Sequence, residues 1–360
     1  MNTTLDLDYI KGIIKNHKEN SICGRWIRLS DVEKILSKFE DLSNFSSRII
    51  GVSEESRNIH EVTFGKGPKK ILVWTQMHGN ESTGTKAVID LFNYIHKTKD
   101  KITLQILSNA TIKVIPILNP DGAEYYTRYN ANSVDLNRDA VNKDAAESKL
   151  LRKVLDDFKP DFCFNLHDQR TIFGVEGENK PSTISFLAPS EESSRKVTDT
   201  RIKTMNVICS MNNLLQEIIP GQVGRYSDEF YPSATGDNFQ KLGYPTILIE
   251  SGHFKDDYQR EVVRNFTFMS ILQGIYHICS VKNFNDYQDY FKIPNNVKIF
   301  GDLLHIYPNK ENVGYTYEEI LEENLIKFIP KMIKEDISNL FFHKEIDLSL
   351  IHISEPTRPY

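Results

Sequence analysis

Four short apolar runs dominate the middle of this chain and constrain its architecture. They are KILVWTQM (70–77), TIKVIPIL (111–118), DFCFNL (161–166) and PTILIE (245–250). Runs this apolar read as strands buried on both faces. Between and after them lie stretches with helical spacing: 82–96, with Val88, Leu91, Phe92 and Ile95 on one face, then 145–158, stopped before Pro160, then 198–218 and 260–280. The alternation predicts an α/β domain over 45–283, with a mixed, largely parallel central sheet flanked by helices.

The flanking regions read differently. Residues 1–44 form a helical lead-in, with Leu7, Ile10, Ile13 and Ile14 at helical spacing and Ser30 and Glu33 as a capping box for a second helix. RIIGVS and NIHEVTFGKGPKK follow as strands, the latter ending in a turn. Residues 284–347 are expected to form a small C-terminal appendage. It is turn-rich at KIPNN and YPNKENVG, then helix-like at NLIKFIPKMIKED, broken by Pro330. The stretch 348–358 resembles a translated sequencing adapter, so 348–360 is set aside as an artefactual tail.

Composition narrows the function classes. The chain has 39% hydrophobic and 26% charged residues, which excludes collagen-like, disordered and coiled-coil proteins. A net charge of −5 argues against a nucleic-acid or anionic-membrane partner. Lys66, Lys69 and Lys70 read as a solvated loop. Cys23, Cys163, Cys209 and Cys279 form no CxxC pair, so a thiolate zinc site is not expected. Cys163 reads as a small buried hydrophobe. With no signal-peptide pattern and no run of about 18 apolar residues, a cytoplasmic location is expected.

The polar residues at the ends of the four apolar runs carry the chemistry. The first runs into His78-Gly-Asn-Glu81, the second into Asn119-Pro-Asp-Gly122, the third into His167, and the fourth ends at Glu250. Ligands of open α/β sheets sit outside the carboxyl ends of the strands, so these groups would share one crevice. Two histidines and a glutamate suffice for a catalytic zinc, with a position left for water. A lone histidine after an apolar run is more often a structural hydrogen-bonder; the joint appearance at successive strand ends favours metal. A carboxylate ending a buried strand is costly to leave unpaired, so Glu250 reads as either a salt-bridged glutamate or a general base. Arg128 and Arg138, near Asn137, offer forks suited to carboxylates and oxyanions.

These pieces together resemble the zinc carboxypeptidase superfamily, the carboxypeptidase A-like (M14) metallopeptidases. The matching motifs are HGNE, NPDG, TRYNANSVDLNR (127–138), NLH (165–167) and LIESG (248–252), in order and at similar spacing. The resemblance covers about residues 50–280. It implies His78, Glu81 and His167 as ligands of one zinc ion and Glu250 as the base. It implies Arg128 as the group polarising the scissile carbonyl, and Asn137 and Arg138 as the grip on the substrate's free carboxylate. Tyr231 is the candidate for the substrate-capping tyrosine, with Tyr226 behind it. The implied activity is hydrolysis of a C-terminal peptide bond by a promoted water. An N-acyl amino acid hydrolase of the aspartoacylase or succinylglutamate desuccinylase type, and a murein-peptide amidase, are the alternatives.

Overall fold

A computed structural model of the protein describes residues 3–348 apart from 41, 43 and 309. The adapter-like stretch lies outside these residues except for Leu348. Helices α1 (Leu7–His17) and α2 (Leu29–Leu36) lead into a hairpin of β1 (Phe45–Val52) and β2 (Asn58–Phe64), followed by β3 (Lys69–Thr75). Helices α3 (Thr83–Lys97) and α4 (Lys101–Asn109) return the chain to β4 (Ala110–Ile115). Next come α5 (Pro120–Tyr125), α6 (Ala146–Phe158), β5 (Phe162–Asp168), the short β6 (Gly174–Val175) and β7 (Ile184–Leu187). Then follow α7 (Asp199–Gln216), β8 (Val223–Arg225), α8 (Thr235–Lys241), β9 (Thr246–Ser251) and α9 (Glu261–Ser280). The last strands are β10 (Asn296–Val297), β11 (Phe300–Ile306), β12 (Val313–Glu322), β13 (Leu325–Met332) and β14 (Phe341–Asp347).

The main sheet has eight strands in the order β1-β2-β4-β3-β5-β9-β7-β8. Its centre, β4-β3-β5-β9, is parallel, and antiparallel pairings flank it at β1-β2-β4 and β9-β7. The expected mixed α/β sheet is therefore what forms. Alternation along the central strands feeds two cores. Ile71, Val73, Phe162, Phe164 and Leu166 join one apolar cluster with α3 and α9 residues; Leu72, Trp74 and Cys163 join another with Leu151, Leu155 and Phe239. Helix α9 is buried nearly all round, and the polar side chains it buries are partnered, Arg264 by Asp90 and Gln273 by Ser210. Ile10, Ile13, Val32, Ile35 and Phe39 of the lead-in belong to the first cluster, so α1 and α2 are part of the main core.

Several local expectations are corrected. Helix α2 begins after Arg28, and Asp31 accepts from the Arg28 amide at 2.9 Å, two residues earlier than a cap at Ser30 and Glu33; Arg28, a donor only, does not reciprocate. Lys69 opens β3, and its ammonium donates to the Ile278 and Val281 carbonyls at the end of α9. Helix α4 buries only Thr103 and Ile106, too few for an apolar stripe to show in its sequence. Residues 325–332 are not helical. They form β13, which pairs with β12 through a tight turn at Glu323 and Asn324, both at positive φ (52° and 63°). That is the backbone a two-residue hairpin demands. Pro330 is tolerated because β13 is an edge of the four-stranded sheet β13-β12-β11-β14.

Candidate active site

Strand β3 has β4 on one side and β5 on the other, so the chain switches direction across the sheet there. Such a switch point opens a crevice at the strands' carboxyl ends. His78 lies just beyond β3 and His167 near the end of β5, on either side of that opening.

The loop carrying His78 is held by close backbone packing. Gln76 has a left-handed conformation (φ 51°), and its amide donates to the Ile27 and Gly79 carbonyls at 2.8 Å each. Gly79 passes so near the NPDG turn that a Cβ would lie 1.8 Å from the Gly122 carbonyl carbon. Only glycine fits. In NPDG itself, Asn119 caps α5, accepting from the Gly122 amide at 2.8 Å and donating to the Met77 carbonyl at 3.1 Å. Pro120 takes the first helical position. HGNE and NPDG are thus two halves of one scaffold.

On that scaffold the Glu81 carboxylate lies between two imidazoles. One oxygen is 2.9 Å from His78 Nδ1 and the other 2.8 Å from His167 Nδ1. Ligand atoms of the three lie within 4.8 Å of one another and all three residues are buried; among the described residues no other group of three meets this condition. His167 Nε2 is buried with no hydrogen-bond partner. Two neutral-capable nitrogens and a carboxylate oxygen are a donor set that fits zinc. Burial opposes charge on Glu81, but the two imidazoles outweigh it and hold the carboxyl well below its ordinary range. His78 is raised, because Glu81 and Asp135 overcome the burial penalty; His167 is lowered, chiefly by burial.

Asp135 is the residue that reading the sequence missed. It accepts from Arg128 Nε at 2.9 Å and from the Asn137 amide at 2.9 Å, and lies 3.1 Å from His78 Nε2. A carboxylate on the far nitrogen of a ligating histidine fixes its orientation. The available signal was an acidic residue inside TRYNANSVDLNR, between the two arginines. Arg128 reaches back to the ligands, with Nη1 3.3 Å from His78 Nδ1 and 3.6 Å from Glu81.

Glu250 is the ladder partner of His167 in the parallel pairing of β5 and β9. Its side chain is half-buried. Burial, together with the Glu81 and Asp168 carboxylates, pushes its pKa well above the ordinary carboxylate value. Asn137 and Arg138 sit in a single turn of 3-10 helix before α6. Asn137 Oδ1 accepts from the Thr235 amide at 3.2 Å, while the exposed Arg138 guanidinium donates to the Asn137 carbonyl at 2.8 Å. Tyr231 is 49% exposed, bonds Glu229 at 2.9 Å, and has the Arg138 guanidinium 6.0 Å from its ring. Tyr226 is the more enclosed tyrosine; burial, with the Glu250 and Glu81 carboxylates, pushes its phenol pKa up. The site residues therefore form two groups: the ligands with Arg128, Glu250 and Tyr226, and the outer set of Asn137, Arg138 and Tyr231.

The zinc carboxypeptidase family profile matches residues 32–172. Carboxypeptidase 2 of Trichophyton rubrum is 29% identical over 102 residues, 28% of this chain and 19% of that protein. Carboxypeptidase SOL1 of Arabidopsis thaliana is 26% identical over 182 residues, 47% of this chain and 36% of that protein. The chain thus matches about a fifth to a third of the length of these curated relatives. Among solved structures, a metallo-carboxypeptidase from Burkholderia cenocepacia aligns with a TM-score of 0.55 at 15% identity, covering 69% of each chain. Carboxypeptidase A from Helicoverpa armigera aligns with a TM-score of 0.56 at 12% identity, covering 77% of this chain and 81% of that one. At such identities the structures speak for the fold alone. Residues 32–172 thus match the zinc carboxypeptidase family profile, and the fold resembles that of solved carboxypeptidases.

Proposed function

We propose that this protein is a zinc-dependent metallocarboxypeptidase that removes a residue from a peptide with a free C-terminal carboxylate. The observation carrying this reading is the buried His78–Glu81–His167 group with Glu250 beside it on the next strand. Held by those three side chains, one zinc ion would supply a Lewis acid that lowers the pKa of water and polarises a carbonyl.

The protein's own residues do the rest. Glu250 takes the proton of the attacking water, then returns it to the leaving amine nitrogen. Its raised pKa suits both directions of transfer. Arg128, fixed by Asp135, donates to the carbonyl oxygen as it gains negative charge. Asn137 and the outward guanidinium of Arg138 hold the terminal carboxylate, with Tyr231 against Arg138. A cytoplasmic setting is part of the same reading, supported by four cysteines that are all free. No helix among the described residues is long and apolar enough to cross a membrane.

The test is product analysis by mass spectrometry on zinc-loaded protein. The pool holds free-acid peptides, the same peptides amidated, murein stem peptides and N-acyl amino acids. Loss of single C-terminal residues from free acids supports the proposal. Turnover confined to N-acyl amino acids or to murein peptides overturns it.

A further inference from the structure

A small cavity lies at the seam between the main domain and the C-terminal sheet. Its volume is about 20 Å³, a little more than one water needs. Arg25, Arg170, Arg260 and His253 of the main domain line it, together with Asp302 of β11 and Glu319 of β12. Arg25 and Arg260 are buried, at 3% and 4% exposure. Arg260 donates through Nη1 to the Ser251 carbonyl at 2.9 Å and through Nη2 to the Gln169 carbonyl at 2.7 Å. Arg25 donates through Nη1 to the Tyr258 carbonyl at 3.3 Å. Its Nη2 lies 2.9 Å from Glu319, an ion pair without hydrogen-bond alignment. The Nε–H of each arginine is buried and has no partner among the described residues.

The acceptors of the same wall are already engaged. Glu319 turns one oxygen to Arg25 and the other to Arg170 and Tyr126. Asp302 accepts from the Tyr258 hydroxyl at 2.7 Å through one oxygen and from the Tyr317 amide at 2.8 Å through the other. His253 spends Nε2 on His343. Asp168, whose Oδ1 is buried without a partner, does not line the cavity. Three guanidiniums thus face two carboxylates, a formal excess of one positive charge. Burial, with the Arg25 charge beside it, pushes the Arg260 guanidinium down to about 10, as befits a cation short of countercharge. A water molecule here would accept from the two Nε–H groups but add two hydrogens of its own to a wall rich in donors. A monoatomic anion only accepts, and it supplies the missing charge.

We propose that this cavity binds one chloride ion, held between the Nε–H groups of Arg25 and Arg260. Size selects a halide: sulfate, phosphate and carboxylates carry several heavy atoms, too many for about 20 Å³. The ion completes a set of contacts around the candidate active site. Arg260 ties together the chain just past His167 and just past Glu250, through Gln169 and Ser251. The Arg25 carbonyl accepts from the hydroxyl of Ser82, the neighbour of Glu81, at 2.6 Å. Chloride therefore fastens the C-terminal sheet, which closes the cavity with Glu319 and Asp302, to the segments that carry Glu81, His167 and Glu250. The site is independent of the proposed hydrolase reading, since the ion binds whether or not a peptide is cleaved.

The experiment dialyses the full chain into sodium gluconate, then melts it at constant ionic strength as chloride, bromide or acetate replaces gluconate. The melting temperature should rise with chloride and saturate, gaining about 4 °C at a hundred times Kd. Bromide should act alike and acetate should not. Arg25→Lys keeps a positive charge for Glu319 but lacks Nε–H, and it should lose the chloride-dependent rise. A second measurement needs no variant: crystals grown in sodium bromide should show a bromine anomalous peak between Arg25 and Arg260. A rise shared by acetate, no saturable rise with chloride, or a rise that persists in Arg25→Lys overturns the assignment. So does a cavity without the bromine peak, which would hold water only. Absence of peptide cleavage in a protein that binds halide as expected counts against the hydrolase reading alone.

Discussion

His167 and Glu250 are ladder partners on adjacent parallel strands, 83 residues apart in sequence and one strand spacing apart in the sheet. The pairing sets one imidazole of the ligand group beside the carboxylate assigned as base. Glu250→Gln keeps the shape and removes the titratable oxygen. Turnover should fall by about 10²- to 10⁴-fold, the usual worth of a general base. Zinc content by atomic absorption should be unchanged. Loss of the metal would show that Glu250 is a ligand and that the assignment is wrong.

Arg138 projects to solvent from a turn whose only other polar side chain is Asn137. Arg138→Ala should raise KM on free-acid peptides by about 10- to 100-fold, the cost of one charge-assisted contact. Amidated peptides, already poor substrates, should be unaffected. Equal losses on both substrate sets would remove Arg138 from carboxylate recognition.

Asp135 holds His78 and Arg128 together. Asp135→Ala should weaken zinc by about 10- to 100-fold, as loss of an outer partner of a ligating histidine does. Competition with a chromogenic chelator measures this directly. Saturating zinc should restore only part of kcat, because Arg128 also loses its anchor. Unaltered zinc affinity would assign Asp135 to Arg128 alone.

Glu319 of β12 enters a cationic pocket on the main domain. It lies 2.9 Å from Arg25 and 3.2 Å from Arg170, and it accepts from Tyr126. Arg25 and Glu319 are both nearly inaccessible, at 2% and 7% side-chain exposure. Glu319→Ala strands a buried guanidinium and should cost about 3–5 kcal/mol in urea unfolding. A change below about 1 kcal/mol would mean that solvent already reaches the pocket.

His253 is buried against His343, 2.9 Å away, with Arg260 and Arg25 nearby. Burial and these cations push its pKa down to about 2, and burial lowers His277 to about 4. The folded state therefore refuses protons that the unfolded chain accepts near pH 6.5. Stability should be full above that pH and fall progressively as pH drops below it. At pH 5 the His253 contribution is a loss of up to about 2 kcal/mol. His253→Gln should flatten the dependence of melting temperature on pH between 7.5 and 5. An unchanged slope would place the acid sensitivity elsewhere.

The local order of this protein is legible without coordinates because it depends on near neighbours. The apolar runs at 70–77, 161–166 and 245–250 overlap β3, β5 and β9, since a strand buried on both faces must be apolar throughout. His78, Glu81 and His167 were legible because strand ends in such sheets converge on one crevice. Residues 325–332 misled, because apolar spacing alone does not separate a partly covered edge strand from a helix. The deciding event is the backbone at Glu323 and Asn324, two residues with no glycine to announce a turn.

By itself, then, the sequence determined the α/β class, the strand ends that carry chemistry and the residue types a zinc site requires. Tertiary structure alone decided which groups surround those residues. Asp135 behind His78, Asn296 over Gly224 and Glu319 between Arg25 and Arg170 are contacts across many residues of chain. Nothing in local periodicity encodes them. They exist because burial forces each polar group to find a partner, and the partner is whichever one the packed strands and helices bring within hydrogen-bond reach.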